Sequence, residues 1–155
     1  MPEYLTQEEA FLKCKKEGNF VIREDIDKAK IESTVIIADA DLDSANTIKK
    51  NVDKKSSQWN TVYKLNYDAL HELSEAFLRF DKVKIDKHQC LFAYLCEKHP
   101  ELDFNWEFFE KVRTKRNGIN CYGTPITYED WKEVKVQFSI YIKKIKEEIK
   151  QRIKE

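Results

Sequence analysis

Apolar side chains recur every three to four residues along most of this chain, the spacing of one face of an α-helix. Between positions 27 and 52 the apolar set is Ile31, Val35, Ala38, Leu42, Ala45, Ile48 and Val52. After a polar loop at 54–58, Trp59, Val62, Tyr63, Leu70, Leu73 and Phe77 mark another helix. A long final helix carries Trp131, Val134, Phe138, Tyr141, Ile145, Ile149 and Ile153 on one stripe. Start and stop signals divide the remainder. Thr6 with Glu9 three residues on reads as a capping box and Gly18 as a stop, which gives a short first helix. Asp86 with Gln89 three on opens a fourth helix that ends before Pro100, and a fifth begins near Asn105. Gly123, Thr124 and Pro125 break the chain before Thr127 and Asp130 start the last helix. No segment alternates as a strand and no internal repeat is present. The pattern predicts an all-α, up-and-down helical bundle of four long helices plus one or two short ones.

At 155 residues this is one domain spanning 1–155, long enough to bury roughly two-thirds of its unfolded surface. Apolar residues at 41% and charged residues at 36%, with little Gly or Pro, argue against disorder. Lys plus Arg and Asp plus Glu both number 28, so any anion-binding surface must be a local patch. No run approaches a membrane-spanning length, and MPEYLTQEEA lacks the apolar core of a signal peptide. The 4 cysteines show no C-x-x-C spacing, which in a chain without a secretion signal predicts a cytoplasmic protein with reduced thiols. Abundant Lys, Glu and Ile beside a single Met lean toward a heat-adapted source.

Against this background the stretch RTKRNGINCYG, 113–123, departs from the rest, because two of the chain's 3 glycines fall inside it among basic residues and amides. Phe109, Val112, Arg116 and Ile119 are spaced i, i+3, i+7 and i+10, which puts Arg116 on the inward stripe. Arg113 and Asn120 flank it, and Asn117 points more to the side. A guanidinium on a core-facing stripe is costly unless paired, and it suits bidentate phosphate or carboxylate binding. A structural Arg held by a carboxylate, Asp68 or Glu72, with Gly118 permitting close helix packing, fits the spacing equally well.

Three other patterns are weaker. DADLD at 39–43 resembles half a calcium loop, but Ser44 and Lys50 stand where Gly and the bidentate Glu belong. His88, Cys90, Cys96 and His99 match no common zinc spacing, and core cysteines with surface histidines are the simpler reading. Lys143, Lys144, Lys146, Lys150, Arg152 and Lys154 make the C-terminal tail locally basic, offset in part by Glu147, Glu148 and Glu155, which reads as a solvated helix face. No metal or cofactor is expected.

RNGINCYG, following FNWEFFEKVRTK and preceded by the helix YDALHELSEAFLRF, resembles the HEPN family (higher eukaryotes and prokaryotes nucleotide-binding). The likeness is to archaeal members with an Arg-Asn-x-Ile-x-x-Tyr-Gly-like signature and spans 59–123. It implies a homodimeric helical bundle whose paired motifs line a cleft for nucleotide or RNA. Many members are metal-independent ribonucleases, some are toxins of toxin–antitoxin pairs partnered with a small nucleotidyltransferase, and others only bind. Their active motif has an Arg, a polar residue such as Asn, and a His about a turn and a half later. Arg116 and Asn117 match the first two, but Cys121, or Tyr122 at one residue longer, stands where the His belongs. A thiol near pKa ~8.5 or a phenol near ~10 relays protons poorly at neutral pH. The expectation is therefore nucleotide or RNA binding through Arg113, Arg116, Asn117 and Asn120 at a dimer cleft, without strong nuclease activity. The alternatives are a toxin-type ribonuclease using Arg116 with Cys121 or Tyr122, and an interaction module partnered with a nucleotidyltransferase.

Overall fold

The computed structural model describes residues 4–155, and at 119–122 the backbone only. Among these residues six helices follow the chain order: α1 Gln7–Lys16, α2 Lys28–Asn51, α3 Trp59–Leu78, α4 His88–Lys98, α5 Trp106–Tyr122 and α6 Tyr128–Ile153. The fold is the expected all-α bundle, four long helices and two short.

Helix ends lie where local chemistry sets them. Both capping boxes form: Thr6 with Glu9 at α1, and Thr127 with Asp130 at α6. Asp27 caps α2 by accepting from the Lys30 amide, and Asn105 caps α5 by accepting from the Phe108 amide. Gly123, at φ 64°, terminates α5 in the left-handed conformation that glycine adopts without steric cost.

Helix α3 is the centre. It buries twelve of its 20 residues, and α2, α6, α4 and α5 all pack against it. Behind it α4, α5 and α6 meet through an aromatic stack. Phe92 and Phe109 lie 4.4 Å apart, Phe104 and Tyr141 4.3 Å, and Phe138 sets its edge against Tyr63. The Trp106 indole N–H donates to the Leu5 carbonyl and ties the approach to α1 onto α5. Helix α2 is peripheral, burying Ile31, Ala38 and Ala45 alone.

Four expectations are corrected. A two-stranded antiparallel ribbon exists, β1 Val21–Ile22 with β2 Val83–Lys84. Two residues per strand are too few for alternation to register in a sequence. Asp86 does not cap α4. The helix starts at His88 with Lys87 as its N-cap, and Gln89, which would complete the box, bonds Glu110 instead. Cys14 and Cys90 are not reduced thiols but a disulfide joining α1 to the first turn of α4, with Cα atoms 5.6 Å apart. Cys96 stays a free, buried thiol pushed up to about 12 by burial, with Glu107 and Glu97 adding to the shift. Gly118 does not mark a close helix contact among the described residues, since a Cβ there would meet nothing beyond its own helix backbone within 4 Å. No described helix is long and apolar enough to cross a membrane.

Candidate functional site

The inward turn of α5 does place Arg116 at an interface. Phe109 and Val112 are fully buried on the same stripe, and seven residues beyond Phe109 the Arg116 side chain remains 16% exposed at the face of α3. Its Nε lies 3.6 Å from the Asp68 carboxylate, which makes Asp68 the ion-pair partner. That distance is too long for a hydrogen bond. The buried Arg116 Nε–H accordingly has no acceptor among the described residues.

Arg113, one turn back, is held differently. Its Nε and one Nη donate to the two oxygens of Glu110, both at 3.0 Å, and Gln89 at the start of α4 donates to the same carboxylate. A guanidinium has five N–H donors, so this bidentate pair fixes its direction without exhausting it. On its other side Arg113 borders a hollow of about 490 Å³ between Leu5, Trp106 and Lys111.

Beside Asp68, three residues that spacing alone does not link to the motif, Tyr67, His71 and His88, complete the cluster. Tyr67, Asp68 and His71 lie on one side of α3, and His88 is the first residue of α4. The His71 and His88 rings stack at 3.7 Å, and the Tyr67 hydroxyl lies 2.9 Å from His88 Nδ1. Phe92 sets its edge against both Tyr67 and His71, so the core aromatics hold the imidazoles in place.

Electrostatics keep these groups neutral. Burial, reinforced by His88, pulls the His71 pKa down to about 3. His88 is lowered by desolvation first; Asp68 is the strongest charge opposing it, Arg116 and Arg113 add to the lowering, and Glu75 opposes it weakly. The Tyr67 hydroxyl is raised by burial against the pull of the two arginines and stays a phenol. Next along α3, burial first and then the Asp41 carboxyl of α2 raise Glu72 to about 7.

The sequence-derived site residues thus divide. Arg113 and Arg116 come together with Tyr67, Asp68, His71 and His88. Asn117 is exposed on the outer side of α5. Asn120, Cys121 and Tyr122 lie outside the described side chains. The histidines are not surface residues as a set. His99 is 7% exposed, with Nε2 2.5 Å from Asp81 and Nδ1 2.9 Å from Glu101. No cluster suited to a metal ion occurs among the described residues.

Chemically, the arrangement offers a positively charged donor with an unused N–H, a neutral imidazole at a helix N-terminus, and a phenol in contact with it. Such a combination can hold an anion and accept a proton beside it. No family model, curated protein or solved structure matches the chain.

Proposed function

We propose that this protein binds the phosphate of a nucleotide or of RNA where Arg116 meets the start of α4. The observation that carries the reading is the Arg116 guanidinium, mostly buried at the interface of α3 and α5, with an Nε–H that Asp68 does not reach closely enough to bond. A phosphate oxygen would supply that acceptor, and the neutral imidazoles and phenol beside it offer further hydrogen bonds without added charge. The resemblance to the nucleotide-binding family rests on the same residues, Arg116 and Asn117. It also supports the proposal of a homodimer with shared sites and of a nucleotidyltransferase partner.

The test is fluorescence anisotropy with a labelled 12-nucleotide RNA and with a labelled ATP analogue. Arg116→Ala should weaken binding by about 1.5–3 kcal/mol, roughly ten- to hundredfold, with an unchanged circular dichroism spectrum. A wild-type protein that binds neither probe, or an Arg116→Ala variant that binds as well, refutes the proposal.

A second reading, metal-independent RNA cleavage, is favoured by His88. The motif lacks its histidine in sequence, yet an imidazole from α4 lies beside Arg116 and Arg113. With Nδ1–H donating to the Tyr67 oxygen, His88 Nε2 is left with a lone pair. It would take the proton of a ribose 2′-hydroxyl as that oxygen attacks the adjacent phosphorus. The 5′-oxygen would leave with a proton from solvent, giving a 2′,3′-cyclic phosphate. Cleavage in EDTA that is lost in His88→Gln, while RNA binding persists, selects this reading over binding alone.

A further inference from the structure

On the far side of α3 the bundle has a second surface that the Arg116 site does not use. Helices α2 and α6 both pack against α3 but diverge from one another, and the space between them is a groove of about 670 Å³ with Asn66 of α3 at its floor. Asn66 and Asp68 are two residues apart, which puts them on nearly opposite faces of α3. The groove and the Arg116 cluster are therefore separate surfaces.

The groove combines two properties. Its apolar strip includes Leu42, Val136 and Ile140; Val136 is 63% exposed and Ile140 56%. Exposed aliphatic side chains one helical turn apart along a groove are the pattern of a docking surface. Its charges are one-sided. Lys49, Lys135, Lys143, Lys146 and Lys150 line it against Glu147 alone, in a chain whose net charge is zero. Two of these lysines are engaged, Lys146 with Asp39 at 2.5 Å and Lys49 over the Trp131 ring at 5.4 Å. Lys135, Lys143 and Lys150 have no ion pair among the described residues.

We infer that this groove receives an acidic amphipathic helix of a partner protein, whose apolar stripe covers Leu42, Val136 and Ile140 and whose carboxylates meet Lys135, Lys143 and Lys150. Lys135, Lys143 and Lys150 run along α6 beside the aliphatic strip, so the occupant needs an apolar face bordered by acids. From Trp131 to Lys150 the groove wall runs about 28 Å, the length of a helix of about 19 residues. Nucleic acid fits the lysines but not the strip. The one indole here, Trp131, is 3% exposed and presents no face on which a base can stack.

The experiment uses a fluorescein-labelled 19-residue peptide with Leu along one helical stripe, Glu flanking it and Ala on the outer face. A scrambled peptide of the same composition and a 12-nucleotide single-stranded RNA are the comparisons. The amphipathic peptide should bind the full-length protein in the micromolar range by anisotropy, and the scrambled one at least tenfold more weakly. Ile140→Glu and the double variant Lys143→Glu/Lys150→Glu change exposed positions, so both should keep their helical spectrum, and each should weaken the peptide at least tenfold. Arg116→Ala should leave peptide binding unchanged. Equal binding of the scrambled peptide, or indifference to both groove variants, overturns the inference. So does RNA that competes with the peptide through the same lysines. If Ile140→Glu instead splits a dimer in the ultracentrifuge, a second copy covers the groove and the inference also fails.

Discussion

Breaking the bond between Cys14 and Cys90 removes a cross-link that closes a loop of 76 residues. In the chain-entropy description the bond withholds about 15 cal/mol/K from the unfolded chain, worth about 4.5 kcal/mol at 25 °C. Domains of this size are stable by about 5–15 kcal/mol in total, so the term is a large fraction of the whole. Both cysteines are almost fully buried, at 4% and 3% exposure, so a substitution adds a packing cost that chemical reduction does not. Reduction is the cleaner perturbation. Two measurements follow. Thiol titration of the unfolded, unreduced protein should find two reactive cysteines, Cys96 and Cys121, and four after reduction. Urea unfolding with and without reductant should then differ in midpoint by about 2 M, taking a slope near 2 kcal/mol/M. The staple enters α4 two residues after His88, so reduction should also weaken nucleotide binding if that end of α4 loosens. Four titratable thiols in the unreduced protein, or coincident urea curves, would refute this account of the α1–α4 junction.

Other expectations are quicker to state. His99 is pulled down by burial but raised overall by its bonds to Asp81 and Glu101, so its contribution is fully present below its unfolded pKa of 6.5. Stability should therefore fall as pH rises from 6.5 through the folded pKa, and urea titrations of His99→Gln should lack that slope. Glu72 is raised from 4.5 to about 7, so its ionised form strains the folded state above pH 7 and the strain is gone below 4.5. Glu72→Gln should stabilise the protein at pH 8, by about 1 kcal/mol after allowance for partial exposure, and not at pH 4. Phe109→Ala, which empties a site between Phe92, Phe104 and Tyr141, should cost about 3–5 kcal/mol by urea unfolding. A loss under 1 kcal/mol would mean that the aromatic stack collapses into the space.

The helices were legible because their signals are local. Thr6 with Glu9, Thr127 with Asp130, and the glycine at 123 act within one turn, and the 3.6-residue period is written on each segment separately. What sequence left open was set by contacts between distant positions. Spacing placed Arg116 at the interface but left Asp68 and Glu72 as equal partners, because the choice depends on how α5 sits along α3. His71 and His88 are 17 positions apart on different helices, and nothing in either segment says that their rings stack. The one local hint was Tyr67 with His71, four residues on and hence on the same face. The disulfide escaped for the same reason, since the docking of α1 on α4 brings Cys14 to Cys90. Gly118 misled in the opposite direction, because a glycine in a helix suggests a close neighbouring helix and none is there among the described residues.

The unequal burial of α2 and α3 also bears on how this sequence can change. Helix α3 hides twelve side chains, several of them aromatic, against four other helices. Most replacements there create a void or a clash that no single neighbour can relieve. Helix α2 hides three of 24 residues, two of them alanines, and leaves Ile36 and Ile37 at 69% and 53% exposure. Fifteen of its 24 positions are exposed and can therefore vary at little cost to folding, provided that Ile31, Ala38 and Ala45, with the half-buried Val35, Leu42 and Ile48, keep their apolar contact. Descendants of this sequence would keep one helix almost letter for letter and rewrite the one beside it, and any new binding preference would arise first on α2.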